Sequence, residues 1–374
     1  MKKLLSSILI VLSIGILQTK SSDQVEISLL TCSSGKETFS AWGHSAIRVV
    51  DKNAKLDIVY NFGIFDFDTP NFYLKFIKGK LNYMLGAHQT LHFYQSYLNE
   101  NRQITEQILN LSEEDEIKII RRLEYLYRPE NRYYLYSFVG KNCTSELRDL
   151  ILENVETDFQ NSLTNKTYRQ QLNEFLQERL WLKFSMSLIM GYQVDRKIDL
   201  FQSMFLPDYL CFEIRNIKVN GEKIVREEKI YNQVYDSNNT YPLWANPLLI
   251  FSILFLIAVS FNKKIIQSSL LFFIGLTGLV VLFLSLITEH RELVYNLNLM
   301  WINPLYLIFA IFKFKNRIKL KKYILGILQL FLILMIPIWL FKIQYFELTY
   351  LPIVLILTIF NLRLLFPKNK LHFI

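Results

Sequence analysis

Lys141-Asn142-Cys143-Thr144 is the stretch on which the reading of this chain turns. An irregular aromatic run, Tyr133 to Phe138, and Gly140 lead into it. From Cys143 onward the pattern is helical, with Leu147, Leu150 and Ile151 on one apolar face. A cysteine opening a helix meets unpaired N–H groups and the positive end of the helix dipole, and both favour the thiolate. The same N–H groups can hold an oxyanion. The competing reading is a buried structural thiol, the commoner fate of a lone cysteine.

Strands precede this helix. Residues 25–32 alternate and branch as a strand does, as do 45–50 and 56–62, with Asp51-Lys52-Asn53 as the turn between the last two. A further strand fits 103–111. Ser112 followed by Glu113, Glu114 and Asp115 opens a helix to about 127. Another helix fits 168–180, where Leu172, Phe175, Leu176 and Leu180 align. Strands early and helices later make an α+β domain. His44, after Gly43 and at the opening of the second strand, is placed to face a cleft, and a thiolate nucleophile needs such an imidazole as ion-pair partner and proton carrier. Taken alone, a surface histidine is the plainer reading. His88 and His92 have helical i, i+4 spacing for a metal, but no third ligand accompanies them. Cys211 reads as core.

The remaining organisation is set by charge and hydropathy. The 374 residues carry a net charge of +9, yet 13 Lys and Arg against three acids lie in residues 243–374, and residues 23–242 are net acidic. The basic excess therefore reflects membrane topology and gives no support to a nucleic-acid partner. Three cysteines exclude a disulfide scaffold, and the chain has no phosphate-binding glycine loop and no HExxH pair. Apolar runs cover roughly 243–261, 267–287, 298–313, 323–341 and 348–366. Six Lys and Arg between Lys313 and Lys322 face the cytoplasm only if all five runs cross, which also puts the C-terminus inside. Residues 1–22, with Lys2 and Lys3 before an apolar run, read as a secretory signal, cleaved or kept as an anchor. Residues 23–242 are then the extracytoplasmic domain and 243–374 the membrane domain. Glu289-His290 falls in an outside loop, either as interfacial decoration or facing a site at the membrane surface, with Asn296, Asn298 and Asn303 nearby.

Several motifs together resemble the Lnb lipoprotein N-acyltransferases of Bacteroidota: Ser28-Leu29-Leu30-Thr31-Cys32-Ser33-Ser34-Gly35, Gly43-His44-Ser45-Ala46-Ile47-Arg48, Tyr60-Asn61-Phe62-Gly63, Asn142-Cys143-Thr144 and Met204 to Leu210. The stretch from His290 to Pro304 is also similar to that family. The resemblance implies a permuted papain-like domain, its His strand before its Cys helix, followed by an all-α bundle of about five transmembrane helices. It implies an enzyme of the bacterial inner membrane, with the catalytic domain in the periplasm and no cofactor or metal. A membrane phospholipid is the acyl donor, and the α-amino group of a diacylated lipoprotein's N-terminal cysteine is the acceptor. Cys143 is then the nucleophile, His44 the acid and base, and Asn61 the residue that orients His44. Backbone N–H groups around Asn142, Cys143 and Thr144 stabilise the oxyanion. Arg48 binds lipid phosphate or pairs with an acid, and His290 caps the site from the membrane side. The alternative that keeps the same Cys–His core is a membrane-tethered cysteine amidase or endopeptidase acting on cell-wall peptide.

Overall fold

The computed structural model describes residues 24–233, 246–261, 263–311 and 318–366. The signal-like segment, residues 1–22, lies outside the described residues. Strands β1 (Val25–Cys32), β2 (His44–Asp51), β3 (Leu56–Ile64), β4 (Asn82–Gln89), β5 (Ile104–Leu109) and β6 (Tyr133–Leu135) form one antiparallel sheet. Two small pairs follow, β7 (Leu163–Thr167) with β8 (Lys197–Asp199) and β9 (Lys218–Val219) with β10 (Glu222–Lys223). Strand β11 (Val225–Tyr231) then returns to the large sheet, which runs β11-β5-β1-β2-β3-β4-β6.

Helices sandwich this sheet. On one face lie α3 (Glu113–Tyr127), α4 (Cys143–Asn154) and α8 (Pro207–Ile214), packed on Ile27, Leu29, Ile47 and Val49. The other face carries Leu30, Ala46 and Val59, covered by Phe93 and Tyr94 of α2 (Thr90–Asn99). Alternate residues of β1 and β2 thus serve two cores, and neither strand has a solvent face for His44 or Cys32 to look out on. The short α1 (Phe72–Ile77) bridges β3 and β4. Ser112 caps α3 by accepting from the Asp115 N–H, as its sequence position predicts. The single helix expected over 168–180 is two, α5 (Tyr168–Glu174) and α6 (Leu180–Ile189). Phe175 ends the first, and Leu172 and Leu176 point into a separate core with Trp42 and Phe205. The turn α7 (Leu200–Ser203) leads to α8.

The rest is helical: α9 (Pro247–Ser260), α10 (Lys264–Ile287), α11 (Leu305–Ile311), α12 (Ile318–Leu340) and α13 (Leu351–Leu365). Among the described residues three helices are long and apolar enough to cross a membrane: α10, α12, and α13 with the turn before it, Leu348–Leu365. Arg291–Met300 and α11 make a fourth if the pair, bent by 49°, counts as one span. All five expected apolar runs coincide with helix, but the first has only 14 described helical residues, about 21 Å of rise. The third is broken at Trp301–Pro304, where Pro304 has no N–H to continue a helix.

The helical region docks on the sheet domain through its loops. The Phe138 N–H donates to Glu292 Oε1 at 3.2 Å. The Asn296 and Asn298 side chains donate to Leu188 O, at 2.8 and 3.1 Å. Ser187 Oγ donates to Glu347 Oε1 at 3.1 Å. Of the polar residues near His290 that the sequence marks at membrane depth, Asn296 and Asn298 therefore secure the junction between the two halves, whereas Asn303 accepts from the Leu305 N–H at the start of α11.

Candidate active site

Two glycines shape the backbone around the histidine and the cysteine. Gly43 turns the chain into β2 with φ +82°, and a Cβ there would stand 2.7 Å from the Cys32 carbonyl oxygen, so only glycine delivers His44 to the strand start. Gly63, φ +91°, lies where the β3–β4 register shifts between Asn61 and Ile64. A Cβ on Gly63 would lie 3.6 Å from the Cys143 Cβ and 3.9 Å from the Tyr134 hydroxyl. The bulge keeps the strand close over the thiol, a usual place for such a feature.

Helix α4 is held at its start by Asn142, which forms a reciprocal cap with Ser145. Asn142 Oδ1 accepts from the Thr144 and Ser145 N–H groups, both at 2.9 Å. Its Nδ2 donates to Phe138 O and Phe205 O, and its own N–H donates to Ser145 Oγ. The oxyanion role expected of Asn142 is therefore not free: every polar atom it could offer is spent on positioning. The Glu146 N–H donates to Asn142 O. That leaves the Cys143 N–H as the first-turn amide without a partner among the described residues. Thr144, fully buried, places its Oγ1 3.1 Å from Ser45 Oγ and 3.7 Å from Cys143 Sγ, so it pins the helix start to β2.

His44 Nε2–H donates to Asn61 Oδ1 at 2.6 Å, leaving Nδ1 for the thiol. This is the orienting contact expected of Asn61. Burial opposes ionisation of Cys143, but the charge and hydrogen bond of His44 outweigh it, helped by the Ser45 N–H and the Thr144 side chain, and the thiol pKa is lowered to about 7. Burial likewise opposes the imidazolium; the Cys143 thiolate and the Asn61 hydrogen bond overcome it and raise the His44 pKa. Each partner stabilises the charged form of the other, so a thiolate–imidazolium pair is available near neutral pH. The His44 ring also lies nearly parallel to Tyr97, 6.2 Å between centroids.

Two expected ligand residues sit elsewhere. Arg48 is on β2, four residues past His44, and its guanidinium is fully engaged: Nε and Nη2 donate to the two Asp57 oxygens at 2.8 and 2.7 Å, and Nη1 to Glu106 Oε1 at 2.9 Å. It braces three strands and is not offered to a phosphate. His290 donates from Nε2 to Phe76 O at 3.0 Å, with Nδ1 3.6 Å from Glu292 Oε1. It ties the loop after α10 to α1, on the membrane side of the domain, and does not touch Cys143. His88 lies near the end of β4 and His92 in α2, so their spacing is not that of one helix face. Among the described residues no three His, Cys, Asp or Glu side chains are grouped to hold a metal. A shallow depression of about 410 Å³ between Lys166, Glu174, Asp208 and Tyr209 holds no nucleophile.

Sequence reasoning passed over Tyr134. Its hydroxyl is buried without a hydrogen-bond partner among the described residues. Burial, then the neighbouring Cys143, hold its pKa well above the ordinary tyrosine value, so it stays a donor. An unpartnered buried donor beside a nucleophile is costly unless something arrives to accept from it. The aromatic run before Gly140 was the available signal, but nothing in it distinguishes Tyr134 from Tyr133, which faces solvent.

Fold and site define a membrane-embedded protein whose sheet domain carries a half-buried Cys–His–Asn constellation near the loop that joins it to its helical region. Residues 16–174 match the Lnb N-terminal periplasmic domain and residues 236–370 match the Lnb transmembrane domain, together most of the chain. The chain belongs to the Lnb family, as a membrane protein with a periplasmic N-terminal domain. No curated protein and no solved structure matches it.

Proposed function

We propose that this protein is a lipoprotein N-acyltransferase of the inner membrane, using Cys143 and His44 in two acyl-transfer steps. In the first, the Cys143 thiolate attacks an ester carbonyl of a membrane phospholipid. The tetrahedral oxyanion accepts from the Cys143 N–H and the Tyr134 hydroxyl. As the C–O bond breaks, His44 gives its proton to the departing lysophospholipid oxygen, and the acyl chain stays on sulfur as a thioester. In the second step the α-amine of a diacylglyceryl-cysteine attacks the thioester. His44 takes the amine proton, the thiolate leaves, and an amide is formed. Asn61 keeps Nδ1 of His44 on the sulfur throughout. No cofactor enters this sequence.

The observation that carries the reading is the position of the Cys–His pair against the membrane half. Tyr136, whose ionisation is opposed by burial and next by Cys143, also feels Glu292 of the loop after α10. That loop accepts a hydrogen bond from the Phe138 N–H, in the aromatic run leading to Cys143. A cell-wall amidase needs only a tether; a loop between spans packed beside the approach to the thiol favours a lipid substrate. The chain order of His44, Asn61 and Cys143 supports a permuted papain-like arrangement.

The same loops support five crossings. Residues 288–298 and 344–347 both contact the periplasmic domain, so α10 and α12 each end on the periplasmic side. The chain between Met300 and the start of α12 must then cross once, through α11. Helix α9 must cross to reach the start of α10, and α13 returns the C-terminus to the cytoplasm, in accord with the six basic residues at 313–322. The test is complementation of a host lacking lipoprotein N-acylation, read by mass spectrometry of lipoprotein N-terminal peptides. An added amide-linked chain with wild type and none with Cys143→Ala is expected. Two-chain lipoproteins in both strains, with both proteins present in the membrane, would overturn the reading in favour of the hydrolase.

A further inference from the structure

The segment between β3 and β4 is unlike the rest of the periplasmic domain. Helix α1 buries none of its residues, and Phe67, Tyr73, Leu74 and Phe76 are exposed. Scattered exposed apolar side chains are ordinary, but a contiguous aromatic group on a short helix is not. Its basic companions, Lys75, Lys78 and Lys80, suit an anionic rim. The place of this group is fixed by backbone bonds to the outer end of a spanning helix. The Glu289 N–H, two residues past α10, donates to Lys78 O at 3.1 Å. His290 donates to Phe76 O, and Lys80 pairs with Glu289 at 3.1 Å. A helix tied to the water end of a span lies at the headgroup level, where aromatic and basic residues are at home.

From this ledge a line of rings runs inward. Phe72 and Phe67 have centroids 4.9 Å apart, Phe67 and Phe65 5.0 Å, Phe65 and Tyr83 5.2 Å, and Tyr83 and Tyr136 4.4 Å. Tyr136 feels the charge of Cys143, and Gly63, two residues before Phe65 of the line, stands against the Cys143 side chain. Alongside the line is a cavity of about 290 Å³, lined by Ile64, Phe65, Met84 and Tyr133, with Asp66 and the two cations Lys75 and Lys80 among its polar residues. Apolar walls with two cations against one acid suit a chain that ends in an anionic headgroup.

We propose that α1 and the aromatic loop before it dock into the outer leaflet of the membrane that the helical region spans, and that the ring line leads an acyl chain from that leaflet to Cys143. The occupant is the bilayer itself, because the surface is continuous with the spans. Docking does not depend on the acyl-transfer reading; the passage of the acyl chain rests on it.

The depth of the ledge can be read without turnover. A nitroxide is attached through Tyr73→Cys in the full chain carrying Cys143→Ala, reconstituted in nanodiscs of phosphatidylethanolamine and phosphatidylglycerol. Cys32 and Cys211 are buried and leave the introduced thiol as the one accessible to label. Lys118→Cys on α3 gives the water-exposed reference. The expected result is oxygen collision favoured over a nickel chelate by about tenfold more at position 73 than at 118. An equal ratio at the two positions overturns the proposal. So does dipolar broadening between labels, which would mean that a second copy covers the ledge. The second arm follows thioester formation with Tyr73→Asp plus Phe76→Asp. The loss should be at least about tenfold greater with a vesicle-borne phospholipid than with a water-soluble short-chain one. Equal loss with both donors refutes the passage. Absence of any thioester in the wild type would refute the acyl-transfer reading while leaving the depth result standing.

Discussion

Cys32 and Cys143 flank the same histidine and have opposite chemistry. Cys32 ends β1 directly across from His44 in the strand register, fully buried in the core beneath α2. Burial pushes its thiol far up, and the nearby Arg102 charge and a single hydrogen bond from the Tyr97 hydroxyl only partly oppose this. Cys143 is also enclosed, yet its thiol falls to about 7. The difference lies in what surrounds the sulfur. Cys143 sits at a helix start with a free amide, a β2 N–H, a hydroxyl and an imidazole around it; Cys32 sits in a strand whose amides belong to the sheet. Proximity to a histidine does not make a nucleophile. Donors aimed at the sulfur do, because they offset the desolvation that both thiols suffer.

The predictions test that contrast, beginning with the largest effect. Cys143→Ala should reduce acyl transfer at least about a thousandfold, whereas Cys32→Ala should cost no more than a few-fold, measured as N-acylated lipoprotein peptide per unit of membrane-inserted protein. Comparable losses would erase the distinction between the two sites. His44→Ala should cost about a hundredfold or more in the same assay. It should also move the midpoint of Cys143 alkylation by iodoacetamide upward from about 7, since burial then acts on the thiol without an opposing imidazolium. A midpoint that stays put would mean that the helix and the Ser45 N–H alone ionise the sulfur.

Tyr134→Phe should lower the rate of acyl transfer by about tenfold to a hundredfold with little change in thermal midpoint, because a donor without a folded-state partner is removed. A clear loss of stability with an unchanged rate would make Tyr134 a packing residue instead. Asn61→Ala should act through pH. The active pair forms as pH rises through the Cys143 pKa near 7 and is lost as pH climbs through the raised pKa of His44. Removing the Asn61 acceptor lowers the His44 pKa, so the alkaline limb of the rate profile should move to lower pH and the acid limb should shift less. A uniform fall at every pH would show that Asn61 only holds the fold. The smallest effect is expected at Arg48. Arg48→Gln should leave the dependence on donor concentration unchanged and cost about 1–3 kcal/mol of stability, because Glu106 is then buried with less compensation.

Much of this site was legible in the sequence, for local reasons. The Cys143 helix announced itself by its apolar spacing, and His44 by its glycine and strand. Asn61 lay on the neighbouring strand, where the β2–β3 turn brings it back toward His44. What escaped depended on contacts far apart in the chain. Strand β4 and helix α2, which follow one another without a loop, were not predicted, because His88 and His92 straddle their boundary and suggested one helix. Arg48 looked equally suited to a phosphate until Glu106, 58 residues on, was placed beside it. The backbone at Asn142 looked like part of an oxyanion hole, but Ser145 Oγ takes its N–H, while Phe138 and Phe205, placed by tertiary packing, take its side-chain amide. Tyr134 and the α1 ledge needed the fold to bring Gly63 beside Cys143 and Tyr83 beside Tyr136.

The central claim, that Cys143 carries the acyl chain, is tested most directly by intact-protein mass spectrometry after incubation with a phospholipid donor and no acceptor amine. The expected result is a mass increment of one acyl group, mapped to Cys143, released by neutral hydroxylamine and absent from Cys143→Ala. An increment that survives hydroxylamine, maps to another residue, or persists in Cys143→Ala would contradict it.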